Sequence, residues 1–212
     1  GILIALQVNN YNEQRKQNQV ELSVLKELKN DLLFSSEEID NIIKYNQSYL
    51  NDYKRIKKNI DEDQPYDISL DSAFSSLDIW EDPYLPNMAY ESLKGKGIDL
   101  IKNDSLKRHI VKIYDFDING RMENTRAWEW SFNQNTTQKY MVKYIRRDIN
   151  EDLARPTDFE KLKKDEEFRN FLNILILVRL SNIETSNEVK ESINKLIKHI
   201  EEEIESRTQT LL

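Results

Sequence analysis

The sequence predicts an all-α fold: an elongated, antiparallel helical bundle of three long helices and a short one. Three observations carry that expectation. The 212 residues include only four Gly and four Pro, too little turn chemistry for a sandwich, barrel or doubly wound sheet, which need a turn every ten residues or so. Between Ile2 and Gln64 neither residue occurs. Within that stretch Leu25, Leu28, Leu32, Ser35, Ile39, Ile42, Asn46, Tyr49, Tyr53, Ile56 and Ile60 step by three and four, and nine of the eleven are apolar or aromatic.

The first long helix is expected over 10–62. Its 3.5-residue period persists for five heptads and implies a left-handed seam roughly 50 Å long, packed lengthwise against partner helices. Leu33, Ile43 and Leu50 widen the apolar stripe, which suits a bundle better than a two-stranded coil. Ser35 and Asn46 interrupt the seam. They read either as tolerated polar sites beside a water pocket, or as residues that set register or touch a ligand.

Pro65 ends this helix, and the aromatic-rich stretch to Asn87 reads as a packed connection in which Ser69–Leu77 could form two helical turns. Asn87 is placed to cap a short helix over Met88–Lys94, with Gly95 and Gly97 as its stop. Asn103-Asp-Ser105 opens the second long helix, expected over 104–148, with weak points at Gly120 and at Asn133–Thr137. Pro156 separates it from the third, expected over 158–207 and capped by Asp158. No repeat or low-complexity linker divides the chain, so residues 10–212 read as one domain.

Composition removes several functional classes. Lys and Arg number 31 against 38 Asp and Glu, a formal charge of −7 that opposes general nucleic-acid binding. There is no cysteine, hence no disulfide, thiolate metal site or Cys nucleophile. Asp115-Phe-Asp117-Ile-Asn119-Gly120 matches the first half of a calcium loop, but position 12, which needs a bidentate carboxylate, is Arg126. The two histidines, His109 and His199, have no partner at i+4 and no Glu-x-x-His pairing. No nucleophile elbow, phosphate loop or dinucleotide fingerprint occurs. The expectation is therefore no catalytic residues, no metal and no cofactor. A carboxylate enzyme would need two inward carboxylates of raised pKa in one cleft.

The run Ile2–Val8 is apolar but far short of the ~20 residues that span a bilayer. It reads either as the end of a membrane helix or as the first turns of an ordinary one. Asn9, Asn10, Asn12 and Glu13 follow directly, with Tyr11 and Arg15 where membrane-interface residues would sit.

Two stretches resemble a bacterial family of membrane-anchored proteins, domain-of-unknown-function family 6090. Ile2–Glu13 (ILIALQVNNYNE), Arg15 and Leu25–Lys29 resemble its N-terminal signature, with Tyr11 in place of the usual Trp. Ala89–Lys94, Gly97, Leu100–Asn103, Leu106 and Arg108–Tyr114 resemble its middle motif. The resemblance implies that residues 1–9 close a single transmembrane helix continuous with the first long helix. With the family's basic leader it also implies a single-pass protein of the bacterial inner membrane, its helical domain facing the periplasm. It carries over no functional residues. The expected role is a membrane-anchored interaction module or scaffold that contacts the bilayer through its first helix and forms a homo-oligomer or binds a membrane protein. The alternative is a sensor-like bundle holding a small ligand among Trp80, Trp128, Trp130 and Arg146.

Overall fold

The computed structural model describes residues 1–209 and is 81% helical. Helix α1 runs unbroken over Ile2–Asp61, as a stretch without Gly or Pro should. Ten of the eleven seam residues are buried and the other, Tyr49, is half-buried. Ser35 satisfies its hydroxyl on the Asp31 carbonyl, 2.9 Å away.

The expected single-pass inner-membrane placement facing the periplasm is corrected by the helices themselves. Among the described residues no helix is long and apolar enough to cross a membrane. The physical reason lies in α1, where Ile2–Val8 give way within the same helix to three Asn, Glu13, Arg15 and Lys16.

The chain gathers into two compact units. Unit 1 comprises Gly1–Glu38, Tyr84–Gly120 and the chain from Val189 on. Its core joins Leu25, Leu28 and Leu32 of α1 to Tyr90 and Leu93 of α3 (Met88–Lys96), Leu106 and Ile110 of α4 (Asp104–Val111) and Ile193, Leu196 and Ile200 of α8 (Glu166–Gln209). Tyr90 and Tyr114 stack at 4.5 Å between centroids. Asn103 caps α4, its Oδ1 accepting from the amides of Ser105 (3.0 Å) and Leu106 (3.1 Å). Asn87 holds the N-cap position of α3 but makes no side-chain cap bond; Asp31 of α1 accepts from the Ala89 amide instead. A charged cluster closes this unit. Arg207 clasps Glu21 with two bonds of 2.7 Å, Glu21 also accepts from the Lys102 amide, and Glu203 binds both Arg207 and the Asn103 amide group.

Unit 2 comprises Ile39–Pro83 and Arg121–Glu188. The connection after α1 folds into a 3-10 turn (Ile68–Leu70) and α2 (Asp71–Ser75), whose Leu70 and Phe74 enter a core with Tyr53, Phe159, Phe168 and Phe171. The second long helix departs from expectation in two ways. It is continuously helical from α4 through α5 (Glu123–Phe132) and α6 (Gln138–Tyr144), but two segments, Lys112–Met122 and Asn133–Thr137, are π-helical. Both weak points of the sequence fall in them. Gly120 follows Asp115 by five residues, the π spacing, and a Cβ there would lie 3.2 Å from the Asp115 carbonyl oxygen. This close approach gives the glycine of the Asp115–Gly120 motif a structural role.

The helix also ends at Tyr144 rather than Asp148. Strand β1 (Ile145–Asp148) pairs antiparallel with β2 (Leu153–Pro156), Arg146 opposite Arg155. Asp148 builds the turn by accepting from the Asn150 amide. Long-range bonds hold the hairpin: Ala154 N–H to Ser75 Oγ at 2.7 Å and Thr157 N–H to the Tyr144 carbonyl at 2.8 Å. The third long helix is likewise divided. Asp158 caps the short α7 (Phe159–Lys163), and Asp165 restarts the chain as α8 by accepting from the Phe168 amide.

Candidate functional site

The most unusual chemistry of unit 2 is a buried ion pair. On α8 the positions Phe171, Leu175 and Arg179 are spaced by four and share one buried stripe, so a guanidinium stands where the helix elsewhere places apolar groups. Arg179 is 2% exposed. Its Nη1 donates to Asn46 Oδ1 at 2.6 Å and its Nη2 to Glu129 of α5, which also accepts from the Asn182 amide group. Asn46 in turn donates to the Ile42 carbonyl. The polar interruption of the α1 seam is thus an acceptor for a buried cation.

The centre is incompletely satisfied. Nε of Arg179 has no hydrogen-bond partner. Burial pushes the Glu129 carboxyl above its ordinary range, and Arg179 and Asn182 oppose that shift without cancelling it. Beside the pair lies a cavity of about 20 Å³ lined by Asn46, Glu81, Glu129, Arg179, Asn182 and Ser186. That volume admits one water molecule and no organic substrate. Glu81 accepts a short hydrogen bond from the Tyr49 hydroxyl, which ties the connection after α1 back to that helix.

The neighbours of these buried residues face outward. Trp128, next to Glu129, is 48% exposed, and Leu177, two residues before Arg179, is 65% exposed. Together with Ile174, Val178, Asn124 and Ser181 they line an open groove of about 440 Å³ between α5 and α8. One face of the Trp128 ring is fixed by stacking on Phe132, 4.8 Å away and nearly parallel. Phe132 stacks on Phe171 and Phe171 on Tyr140, so the exposed ring ends a ladder of core aromatics. Thr125 and Asn182 line both groove and inner cavity.

Of the four residues expected to share a ligand site, only Trp128 lines this groove. Trp80 is half-buried, Trp130 lies exposed on α5, and Arg146 lies exposed on β1, none of them among its walls. Tyr11 and Arg15 line a groove of unit 1 with Gln14, Asn18, Lys102 and Arg207. Sequence reasoning missed Arg179, Glu129 and Asn182. The available signal was Arg179 itself, a charge at an apolar stripe position, which reads in isolation as the end of the run FLNILILV. No family model, no curated protein and no solved structure matches the chain.

Proposed function

We propose that this chain is a non-enzymatic module, an antiparallel helical bundle of three long helices, that binds a partner protein through the groove between α5 and α8. One observation supports the reading above others: Trp128 and Leu177 stand exposed on neighbouring helices, directly backed by the buried Arg179–Glu129 pair. Exposed aromatic anchors on a rigid support are the residues that dominate protein–protein affinity. The pair holds α5 and α8 in fixed register, so the groove is preformed. An apolar helix face is the natural occupant of a groove between two helices.

A second reading, a small uncharged ligand, is favoured by the lining. Asn124 and Ser181 offer hydrogen bonds beside an aromatic face, and no wall residue carries a charge.

The test is a photo-reactive amino acid placed at Leu177 in cells that express the chain. A discrete protein adduct that disappears when Trp128→Ala is added supports a partner. An adduct with the mass of two copies identifies the partner as this chain. Absence of any adduct, with helicity intact, overturns the protein-binding reading.

A further inference from the structure

The chain contains two histidines, and in unit 1 they meet. His109 on α4 and His199 on α8, 90 residues apart, approach Nδ1 to Nδ1 at 3.0 Å with ring centroids 5.3 Å apart. Both rings are half-buried, so each keeps a path to solvent for proton exchange. We propose that this pair is an acid-released latch between α4 and α8, closed while at least one ring is neutral and opened when both are protonated.

The chemistry of the contact sets the proton count. A hydrogen bond between two Nδ1 atoms needs one N–H and one bare nitrogen. Two neutral rings meet that need when the donor ring carries its proton on Nδ1. One added proton leaves the bond intact, because a cationic ring then donates to a neutral one. The second proton leaves two donors and no acceptor, and sets two cations 3.0 Å apart at their nearest nitrogens. The rings then have to part. Two groups coupled this closely take up their protons in separate steps, and only the second step opens the contact.

The surroundings act in the same direction. Burial, then His199, then Lys112 hold His109 below the ordinary histidine value of 6.5, against the opposing carboxylate of Asp117 in the first π segment. On α8, Glu203 follows His199 by about one helical turn. From α1 come Glu21 and Lys29, both already engaged on α8 with Arg207 and Glu201. Burial works to raise the Glu203 carboxyl, but its bonds from Asn103 and Arg207 outweigh that and hold it below the ordinary carboxylate range. The clasp at the start of α4 therefore outlasts the latch as pH falls. A histidine lowered in the folded state is protonated first in the unfolded chain, so the stability of this contact drops as pH falls from 6.5 through the folded value. The far end of α4, where the chain enters the π segment, loosens while Asn103 still ties its start to Glu203.

Amide hydrogen exchange of the whole chain tests this, read at about pH 7 and about pH 5 and corrected for the intrinsic exchange rate. The expected result is a fall in protection of at least about tenfold at the lower pH in Asp104–Val111 and in α8 around His199. His109→Gln and His199→Gln each make the second protonation impossible. Each is expected to abolish the fall while leaving the far-ultraviolet circular dichroism unchanged. Should a variant unfold, the histidine proton resonances of the wild-type chain decide. Two separated titration steps, the lower one below 6.5, support the latch, and coincident steps overturn it. Equal protection at both pH values, or a fall retained in either folded variant, also overturns the proposal.

Discussion

Each unit of this molecule is built around an arginine–glutamate pair, and the two pairs obey different physics. In unit 1, Arg207 is 22% exposed on its side chain and serves two carboxylates, Glu21 and Glu203. In unit 2, Arg179 is 2% exposed, has one carboxylate and one Asn side chain as acceptors, and leaves Nε unbonded. Water helps solvate the first guanidinium and has little access to the second. Charge pairing therefore adds modest stability in unit 1, whereas in unit 2 it chiefly prevents the cost of an unpaired buried ion. Such a pair is weak evidence for stability but a strong constraint on which helices meet.

The largest expected effect breaks the buried pair from the carboxylate side. Glu129→Gln strands a guanidinium that cannot shed its proton, at a cost of about 3–5 kcal/mol. Arg179→Met is expected to cost less, because Glu129 can take up a proton in response. The double variant Glu129→Leu with Arg179→Met should regain most of the loss. Urea denaturation of the three variants measures this. Equal losses for the two single substitutions would contradict the asymmetry.

The pH dependence sharpens the same contrast. Burial already raises the Glu129 carboxyl above 4.5, and Arg179 opposes that rise. Removing Arg179 raises it further. A carboxyl raised in the folded state holds its proton where the unfolded chain has lost it, so stability falls as pH climbs from about 4.5 through the folded value. The deficit of Arg179→Met against the parent should be smallest in acid and grow toward neutrality. A deficit that shrinks as pH rises would refute this assignment.

In unit 1 the matching change, Glu21→Gln, is expected to cost less. Bonds to charged groups contribute about 1.5–3 kcal/mol, and the solvent contact of Arg207 together with its second carboxylate places this one at the low end. Arg207→Lys should behave similarly, since an ammonium cannot reproduce the two-bonded clasp. If Glu21→Gln proved as costly as Glu129→Gln, exposure would not be the variable that separates the pairs.

These differences track what the sequence could and could not reveal. The α1 seam was legible because its signal is local: eleven positions repeat a single spacing. Gly120 and Asn133–Thr137 were legible as weak points, though not as π segments. Arg179, Glu129 and Asn46 lie far apart in sequence, so the pair could only be suspected from a charge on an apolar stripe. His109 and His199 each lack a local partner, and the contact between them crosses 90 residues. The apolar start of α1 resembled the end of a membrane segment because polar residues with Tyr11 and Arg15 follow it directly, a pattern that an ordinary helix can also carry. The hairpin was hidden for the same reason as the ion pair. Nothing in Lys143–Asp148 forbids helix; Ser75 and Thr157 impose the strands from outside. Ser75→Ala, which strands the amide of fully buried Ala154, should cost about 1–2 kcal/mol and speed hydrogen exchange in the hairpin.

The smallest effect separates cap from clasp within unit 1. Asn103 performs two tasks: its Oδ1 caps α4 and its Nδ2 donates to Glu203 at 2.8 Å. Loss of an N-cap costs about 0.5–2 kcal/mol. Asn103→Ser keeps a capping oxygen and loses the Glu203 bond, whereas Asn103→Ala loses both. The difference between Asn103→Ala and Asn103→Ser therefore isolates the cap, at about 1 kcal/mol. The deficit of Asn103→Ser against the parent isolates the bond to Glu203, and it should be smaller because Glu203 keeps Arg207. If Asn103→Ser were instead as damaging as Asn103→Ala, the amide group and not the cap would anchor α4. The charged cluster of unit 1 would then act as a connected network in the manner of the buried pair, despite its exposure.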